Sequence, residues 1–222
     1  MSTTNDRGEK SGLAKVSLEI REKFLKLPHN IVTPSRGEVI FHQGDKVDKL
    51  GFILDGVMKC CKYTFEGDEV NTRYFYRGEI FPEYLFLTGE GEYIYNLVTE
   101  KDAKLILVAT EHIRDLIKKD LGWNNLIIDY MAWRGLLDQK WALCNSYGTL
   151  KSSIVYMLLE IYQVQEDEWT LINDSQQMLA TKLQVSRPMF NQALIKLEKE
   201  GLIERNRTRI RLKDRSKLEM HI

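Results

Sequence analysis

The side chains with the clearest capacity for chemistry lie near the C-terminal end of the sequence. In "VSRPMFNQALIKLEKEGLI", Arg187, Asn191 and Gln192 fall on one side of a predicted helix, and Phe190 and Leu194 fall on the other. Guanidinium and amide groups form hydrogen bonds with the edges of base pairs in the major groove of DNA. The spacing therefore predicts a helix that presents base-reading groups to solvent while it packs its apolar side inward.

The residues around this helix predict the frame that would position it. Asp174 or Ser175 can cap a preceding short helix, and Ser186 can cap the reading helix itself. Pro188 falls in the first turn of this helix, where backbone N–H groups have no partner within the helix. The missing N–H of proline therefore costs no hydrogen bond there. Two short helices joined by the tight turn "LQVS" predict a helix-turn-helix, whose second helix enters the major groove.

A basic segment, "LIERNRTRIRL", follows the second helix. Arg205, Arg207, Arg209 and Arg211 alternate in it, so a β-ribbon would carry them on one face, suited to gripping phosphates. A solvated surface on any small domain is the alternative interpretation. The predicted DNA-contacting residues are Ser175, Gln176, Ser186, Arg187, Pro188, Asn191, Gln192, Lys196, Arg205, Arg207 and Arg209.

The distribution of charge supports a polyanionic partner for this part. The formal net charge of the 222 residues is zero, yet residues 175–222 hold 11 Lys and Arg against 5 Asp and Glu. The rest of the chain is correspondingly acidic, which indicates two modules with different tasks. The composition, 43% hydrophobic with no signal-peptide pattern or membrane-spanning run, predicts a cytoplasmic protein without membrane association.

The sequence between Gly37 and Ala109 has the pattern of strands. Glycines recur every 11 or 12 residues beside polar turn residues, and "KYTFEGDEVNTRYFY" predicts a hairpin around Gly67. Short strands at this regular spacing predict an all-β sandwich or barrel. A helical pattern that ends at Pro28 predicts a helix packing on it.

A long helix is predicted next, because residues 123–165 contain no proline. Its apolar residues recur at alternating three-four spacing, which predicts a seam for a second copy of the helix. Packing of one helix on its own β domain remains the alternative. The predicted dimer-interface residues are Leu126, Tyr130, Trp133, Leu137 and Cys144.

Aromatic residues concentrate in the β section, and aromatic walls with a few hydroxyl groups suit a planar or apolar small molecule. The predicted effector pocket comprises Tyr74, Tyr76, Phe81, Glu83, Tyr84, Tyr93, Tyr95, Tyr130, Trp133 and Leu137. The alternative is that many of these rings fill the core of the roll.

Other chemistry is not indicated. Three cysteines form no disulfide framework, and four histidines have no metal-ligand spacing, so no metal site is predicted. No nucleophile and base pairing, paired carboxylates or glycine-rich phosphate loop occurs, so no catalytic residues are predicted and the chain is not expected to be an enzyme. Redox roles for Cys60, Cys61 and Cys144 stay open.

"GEVIFHQGDKVDKLGFILDGVMK", the long helix and "VSRPMFNQALIKLEKEGLI" together resemble the cyclic-AMP receptor protein and fumarate-nitrate reduction regulator (CRP/FNR) family of bacterial transcription regulators. The resemblance implies an α+β protein with a jelly-roll β-roll like that of cyclic-nucleotide-binding domains, a long dimerisation helix and a C-terminal winged helix-turn-helix. The corresponding divisions are a flexible tail (1–12), the effector domain (13–121), the helix (122–146) and the DNA-binding domain (147–222). The resemblance also implies a homodimer, inverted-repeat DNA sites and contact with RNA polymerase.

The chain departs from the cyclic-nucleotide-binding members of that family. It keeps Glu83 in "GEIFPEYLF" but has Pro82 in place of a glycine, and it has Tyr93 and Ile94 where an arginine and a hydroxyl residue are expected. A phosphate there would meet an adjacent carboxylate and no cation, a loss of several kcal/mol at about 1.5 to 3 kcal/mol per charged hydrogen bond. No cyclic nucleotide is therefore expected. A haem or iron-sulfur cofactor is not expected either, because the first cysteine is Cys60 and the cysteines do not have the spacing of a cluster site.

The resemblance also bears on DNA sequence preference. Arg187 stands where the cyclic-AMP receptor protein has arginine, Pro188 stands in place of its glutamate, and Gln192 replaces a second arginine. The preferred half-site should thus differ from the best-known one of the family. The predicted function is a DNA-binding regulator controlled by an effector that is not a cyclic nucleotide. The alternatives are a constitutive regulator without ligand and, more remotely, a β-barrel enzyme or carrier.

Overall fold

The computed structural model describes residues 12–67 and 69–222, which fall into two units whose boundary in the chain lies between Met131 and Ala132. The predicted flexible tail, residues 1–12, lies outside the described residues apart from Gly12, which begins the first helix.

The first unit is an antiparallel β-roll, as predicted. Its elements are α1 (Gly12–Leu25), β1 (His29–Val32), β2 (Val39–Phe41), β3 (Lys49–Tyr63), β4 (Glu69–Tyr76), β5 (Ile80–Phe81), α2 (Glu83–Thr88), β6 (Asn96–Ala109) and α3 (Thr110–Lys119). The strand order is β1-β6-β3-β4, with β2 added to β6 and β5 added to β3. The predicted hairpin is the β3–β4 pair, in which Val57 lies opposite Tyr76.

Close packing in the roll depends on one glycine in β3. A Cβ atom at Gly51 would lie 2.1 Å from the ring of Phe81, on the neighbouring strand β5. The absence of a side chain at this position therefore leaves room for the tip of the Phe81 ring. Phe81 is fully buried with Phe75, Met58 and Leu105.

Helix α4 (Leu121–Ser146) is the predicted long helix. Two of its predicted interface residues, Leu126 and Tyr130, are buried in the core of the first unit with Phe24 and Ile113. Cys144 is buried in the core of the second unit. The expectation that these three line a seam to a second copy is wrong, because the same three-four spacing serves equally well to pack a helix on its own domain. Trp133 stays exposed and Leu137 is half-buried.

The second unit contains the predicted helix-turn-helix and wing. Its elements after α4 are α5 (Leu150–Tyr156), a π-helical turn (Met157–Ile161), β7 (Thr170–Leu171), α6 (Gln176–Lys182), α7 (Arg187–Lys199), β8 (Ile203–Arg205), β9 (Arg209–Leu212) and α8 (Arg215–Glu219). The three strands form a sheet in the order β7-β9-β8. Phe190, Leu194 and Leu197 of α7 are buried against residues of α5 and α6.

Candidate nucleic-acid interface

The helix-turn-helix is built by the caps that the sequence predicts. The Ser175 hydroxyl accepts a hydrogen bond from the Met178 amide, and the Ser186 hydroxyl accepts one from the Met189 amide. Gln184, in the turn between the helices, has φ 57°, in the left-handed region. Both serines therefore act first as caps that begin helices α6 and α7.

A buried polar network fixes the first of these helices. The Asp174 side chain is fully buried, and its carboxylate accepts a short hydrogen bond from the Tyr162 hydroxyl and lies 3.0 Å from the Lys182 ammonium group. The Lys182 ammonium group also lies 4.8 Å from the centre of the Trp141 ring. Since Asp174 precedes α6 and Lys182 ends it, the network ties both ends of this helix to one anchor.

The outward face of α7 agrees with the sequence prediction. Arg187, Pro188, Gln192 and Lys196 are exposed, and Gln176 of α6 is half-buried. Met189 is also exposed, at 53%, and was missed because a methionine is usually assigned to a core. Apolar side chains beside a base reader can contact the methyl group of thymine, so Met189 joins the candidate residues.

Asn191 differs from the other predicted readers because it is half-buried and already bonded. Its Oδ1 accepts a hydrogen bond of 3.0 Å from Nη1 of Arg205. Nε of Arg205 in turn donates to Oε2 of Glu198 at 2.6 Å. Arg205 therefore links two residues of α7 to strand β8.

The expectation that alternating arginines share one phosphate-binding face is wrong for two of them. Arg205 is engaged by Glu198 and Asn191, and Arg211 is engaged by Glu204 at 2.6 Å. Arg211 also lies 4.9 Å from the centre of the Trp169 ring. Every second side chain lies on the same face only within one continuous strand. Here a turn separates β8 from β9, so the spacing of the arginines across the turn does not place them on one face.

The turn between β8 and β9 carries the arginines that stay open to solvent. Oδ1 of Asn206 accepts hydrogen bonds from the amides of Thr208 and Arg209, which closes the turn. Arg207 lies inside this turn and Arg209 follows it, and both are exposed. These two side chains are the ones that the wing presents for contact with an anion.

The predicted pocket residues of the β-roll are mostly packed side chains. Tyr74, Phe81, Tyr93 and Tyr130 are buried, whereas Tyr84 is exposed and Tyr76 and Tyr95 are half-buried. The Tyr130 hydroxyl accepts from the Ile80 amide at 2.9 Å. The expectation that the buried residues of this set line a ligand pocket is therefore wrong for most of them. They fill the core, because the inward-facing side chains of a small roll must occupy its interior.

Tyr93 is the polar exception in that core. Its ring stacks on Phe41 with centroids 4.6 Å apart, and burial raises the pKa of its hydroxyl. Within the described chain this hydroxyl has no hydrogen-bond partner. An open depression of about 490 Å³ lies beside it, lined by Gln43, Gly44, Lys62, Glu90, Gly91, Glu92, Tyr93 and Ile94.

The β-roll contains a cation, Arg73, that was not predicted from the sequence. Nη2 of Arg73 donates to Oε1 of Glu83 at 2.5 Å, and Glu83 is buried at the start of α2. The Arg73 guanidinium also lies 4.3 Å from the centre of the Phe75 ring and 5.2 Å from that of Tyr84. The expectation that Glu83 has no cation beside it is therefore wrong. A lone arginine in a strand otherwise rich in aromatic residues was the available signal.

The cysteines are buried and show no activation. Burial raises the pKa of Cys60 and of Cys144 to about 12 in each case, and the Cys144 thiol donates to the Ser153 carbonyl at 3.2 Å. Among the described residues, no group of three or more His, Cys, Asp and Glu side chains is placed to hold a metal ion. In the same part of the chain, no helix combines the length and apolar character needed to cross a membrane.

Comparison with known families identifies both units. The family model described as "Cyclic nucleotide-binding domain" matches residues 32–120, and the one described as "Crp-like helix-turn-helix domain" matches residues 154–220. No curated protein sequence matches the chain.

Solved structures share the fold at low sequence identity. FixK2 from Bradyrhizobium japonicum is 15% identical with a TM-score of 0.70, and the match covers 87% of this chain and 97% of that chain. The c-di-GMP-responsive global regulator CLP of Xanthomonas campestris is 19% identical, with a TM-score of 0.62 and coverage of 88% and 98%. A CRP-family transcriptional regulator from Thermus thermophilus is 19% identical, with a TM-score of 0.61 and coverage of 86% and 95%.

Proposed function

Because the chain belongs to the CRP/FNR family of DNA-binding transcription regulators, we propose that it acts as a homodimer whose DNA binding is controlled by a small molecule in the β-roll. Members of this family are regulators and not enzymes. The dimer and the effector are the parts of the proposal that go beyond the family assignment.

The observation that carries the proposal is the exposed basic surface of the second unit. Arg187, Gln192 and Lys196 project from α7, and Arg207 and Arg209 project from the wing turn. A guanidinium at the start of a recognition helix is suited to guanine O6 and N7, and flanking cations are suited to phosphates. The α7 residues would therefore read the DNA sequence, and the wing arginines would bind the DNA phosphates.

An apolar stripe on α4 supports the homodimer. Leu136 and Leu143 are 44% and 56% exposed and lie seven residues apart, about two helical turns. A stripe of this kind on one helix can pair with its own copy about a two-fold axis. A two-fold dimer would read inverted repeats with half-sites about one DNA turn apart.

The β-roll supports an effector other than a cyclic nucleotide. Glu83 already pairs with Arg73, so a phosphate that recruited this cation would have to break the ion pair of a buried carboxylate. Pro82 offers no backbone N–H, and Ile94 is half exposed and offers no side-chain donor. Since CLP is described as c-di-GMP-responsive, cyclic dinucleotides belong in the test together with cyclic AMP and cyclic GMP.

A second candidate, a constitutive regulator without ligand, is favoured by one observation. Tyr74, Phe81, Tyr93 and Tyr130 fill much of the predicted pocket volume with the protein's own side chains. In that case the roll would serve dimerisation and stability, and DNA affinity would not respond to small molecules.

Selection of binding sites from random duplex DNA by the purified full-length chain tests the proposal. We expect an inverted repeat with two half-sites, bound by a dimer with a Kd of about 10 nM or lower at physiological salt. Failure to enrich any sequence at low salt contradicts it. A thermal-shift screen with cyclic nucleotides, cyclic dinucleotides, aromatic acids and thiols then separates the two candidates, since only a sensor gains stability from a ligand.

Three further expectations belong to the proposal. A regulator that acts on DNA would work in the cytoplasm and would contact RNA polymerase at its target promoters. No haem or iron-sulfur cluster is proposed. Cys60 and Cys61 are neighbours on β3 and Cys144 lies on α4, and burial raises the pKa of all three thiols, which keeps them protonated.

A further inference from the structure

Of the three base readers predicted on α7, which are Arg187, Asn191 and Gln192, Asn191 is the one whose side chain is hydrogen-bonded to another described residue. Its Oδ1 accepts a hydrogen bond from Nη1 of Arg205 at 3.0 Å. Arg205 is itself held by Glu198, because its Nε donates to Oε2 of that residue at 2.6 Å. Asn191 and Glu198 lie seven residues apart on α7, about two turns, so both reach the same guanidinium on β8.

This contact sets the orientation of the Asn191 amide. A guanidinium has five donors and no acceptor, so the atom that faces it must be the amide oxygen and not the amide nitrogen. A flipped amide would place two donors against each other. The amide nitrogen, Nδ2, is therefore the group that remains for a partner, because the contact with Arg205 is the one hydrogen bond that the Asn191 side chain makes among the described residues.

We propose that Arg205 is a positioning residue for base recognition, which holds Asn191 as a hydrogen-bond donor toward the DNA. The proposal rests on the proposed DNA-binding function and deepens it by specifying which base edges Asn191 can read. Recognition of adenine by asparagine normally uses both groups, since the oxygen accepts from N6 while the nitrogen donates to N7. In this chain the oxygen is engaged from the wing side.

The base preference follows from the donor alone. Guanine offers the acceptors N7 and O6, and thymine offers O4, whereas the cytosine edge offers the N4 donor. The nearby charge of Arg205 adds to the discrimination against donors, while Glu198 keeps that guanidinium from turning to a phosphate. Asn191 should therefore favour guanine or thymine, tolerate adenine through N7 alone and disfavour cytosine.

The experiment compares full-length wild type with Asn191→Ala, Arg205→Met and Arg205→Lys on the site selected by the wild type. Each base pair of one half-site is varied, and relative affinities are measured by competition. Arg215→Ala is the matched control, because it removes another arginine that is paired with a glutamate, Glu219 at 2.7 Å. Circular dichroism verifies that each variant is folded.

We expect Asn191→Ala to lose the preference at one base pair of the half-site. Arg205→Met should raise the relative affinity for adenine at that same base pair by about tenfold, because the freed oxygen completes the bidentate contact. Arg205→Lys retains a cationic donor and should stay closer to wild type. Arg215→Ala should leave the profile at that base pair unchanged.

Three results would overturn the inference while the proposed function stands. One is an Arg205→Met profile identical to wild type at the base pair that Asn191 reads. Another is an Asn191→Ala variant that retains every base preference. The third result comes from NMR relaxation of the free wild-type protein and needs no variant. If Arg205 fixes Asn191, the side-chain amide should have an order parameter near that of the rigid backbone, about 0.85. A value below about 0.6 would show that the side chain is mobile and would contradict the inference. A wild type that enriches no sequence refutes the proposed function instead.

Discussion

Arg73 donates a 2.5 Å hydrogen bond to Glu83, and this ion pair lies inside the β-roll. The Glu83 side chain is 2% exposed and that of Arg73 is 17% exposed, so little water screens the two charges. The pair joins strand β4 to the start of α2, the segment in which the family's cyclic-nucleotide-binding members are expected to hold a phosphate. In this chain the Glu83 carboxylate is the anion that occupies that segment and pairs with the cation.

Replacing Arg73 with methionine should destabilise the first unit strongly. The Glu83 carboxylate would remain buried without its cation, and the free energy of unfolding should fall by about 3 kcal/mol. Urea denaturation measures the loss. The double variant Arg73→Met/Glu83→Met should recover most of it, because the unpaired charge is removed as well. Equal losses in the single and double variants would show that the charge of Glu83 is not the cause.

Lys119→Met is the matched control for that comparison. Lys119 pairs with Asp115 at 3.8 Å, and both side chains are at least 70% exposed. Solvent screens such a pair, so its removal should leave the unfolding midpoint nearly unchanged.

The exposed arginines should divide into those that read sequence and those that grip phosphate. Arg187→Ala should relax specificity at one base pair. Arg207→Ala and Arg209→Ala should weaken binding to all sequences and reduce the slope of log affinity against log salt by about one each. Fluorescence anisotropy at several salt concentrations measures both effects.

Arg211→Ala provides the contrast within the same wing. Its guanidinium is paired with Glu204 and stacked on Trp169, so the salt slope should stay near that of wild type. A slope change as large as that of Arg207→Ala would mean that the pairing opens when DNA binds.

Charges on the exposed stripe of α4 should separate the dimer. Leu136→Glu and Leu143→Glu each place a carboxylate on the proposed apolar interface, where its burial would be costly. We expect monomers in sedimentation experiments and a loss of affinity for inverted repeats. Leu18→Glu is the control, because Leu18 is 59% exposed on α1. A dimer that survives both α4 substitutions would place the interface elsewhere.

The buried thiols should resist reagents in the folded protein. Burial raises the pKa of Cys60 and Cys144 to about 12, so both thiols stay protonated near pH 8. Alkylation followed by mass spectrometry should label them only after denaturant is added. Rapid labelling of Cys60 in the native state would indicate that the roll opens.

The same shifts predict a loss of stability in alkali. The pKa values of the folded thiols lie above the unfolded value of about 8.5, so their contribution is complete below that pH. It should decline progressively as the pH rises from about 9 to 12. The variant Cys60→Ala/Cys144→Ala should lose less stability than wild type over this window, measured by urea denaturation at each pH.

By itself the sequence determined the order and type of the elements. Capping serines, the proline in the first turn of α7, the regularly spaced glycines and the strand and helix periods act over a few neighbouring residues. For this reason the β-roll, the long helix and the winged helix-turn-helix were predictable, as were the exposed residues Arg187, Gln192 and Lys196.

Only the tertiary structure decided which side chains stay available. Arg205 is engaged because the chain turns back at Gly201 and brings β8 beside Asn191 and Glu198 of α7. Arg73 reaches Glu83 across strands, and Leu126 faces its own core while Leu143 faces solvent. Charge pairing depends on contacts between residues that are distant in sequence. Burial depends on which side of a helix packs against its domain. Local periodicity in the sequence specifies neither the distant contacts nor the side that packs.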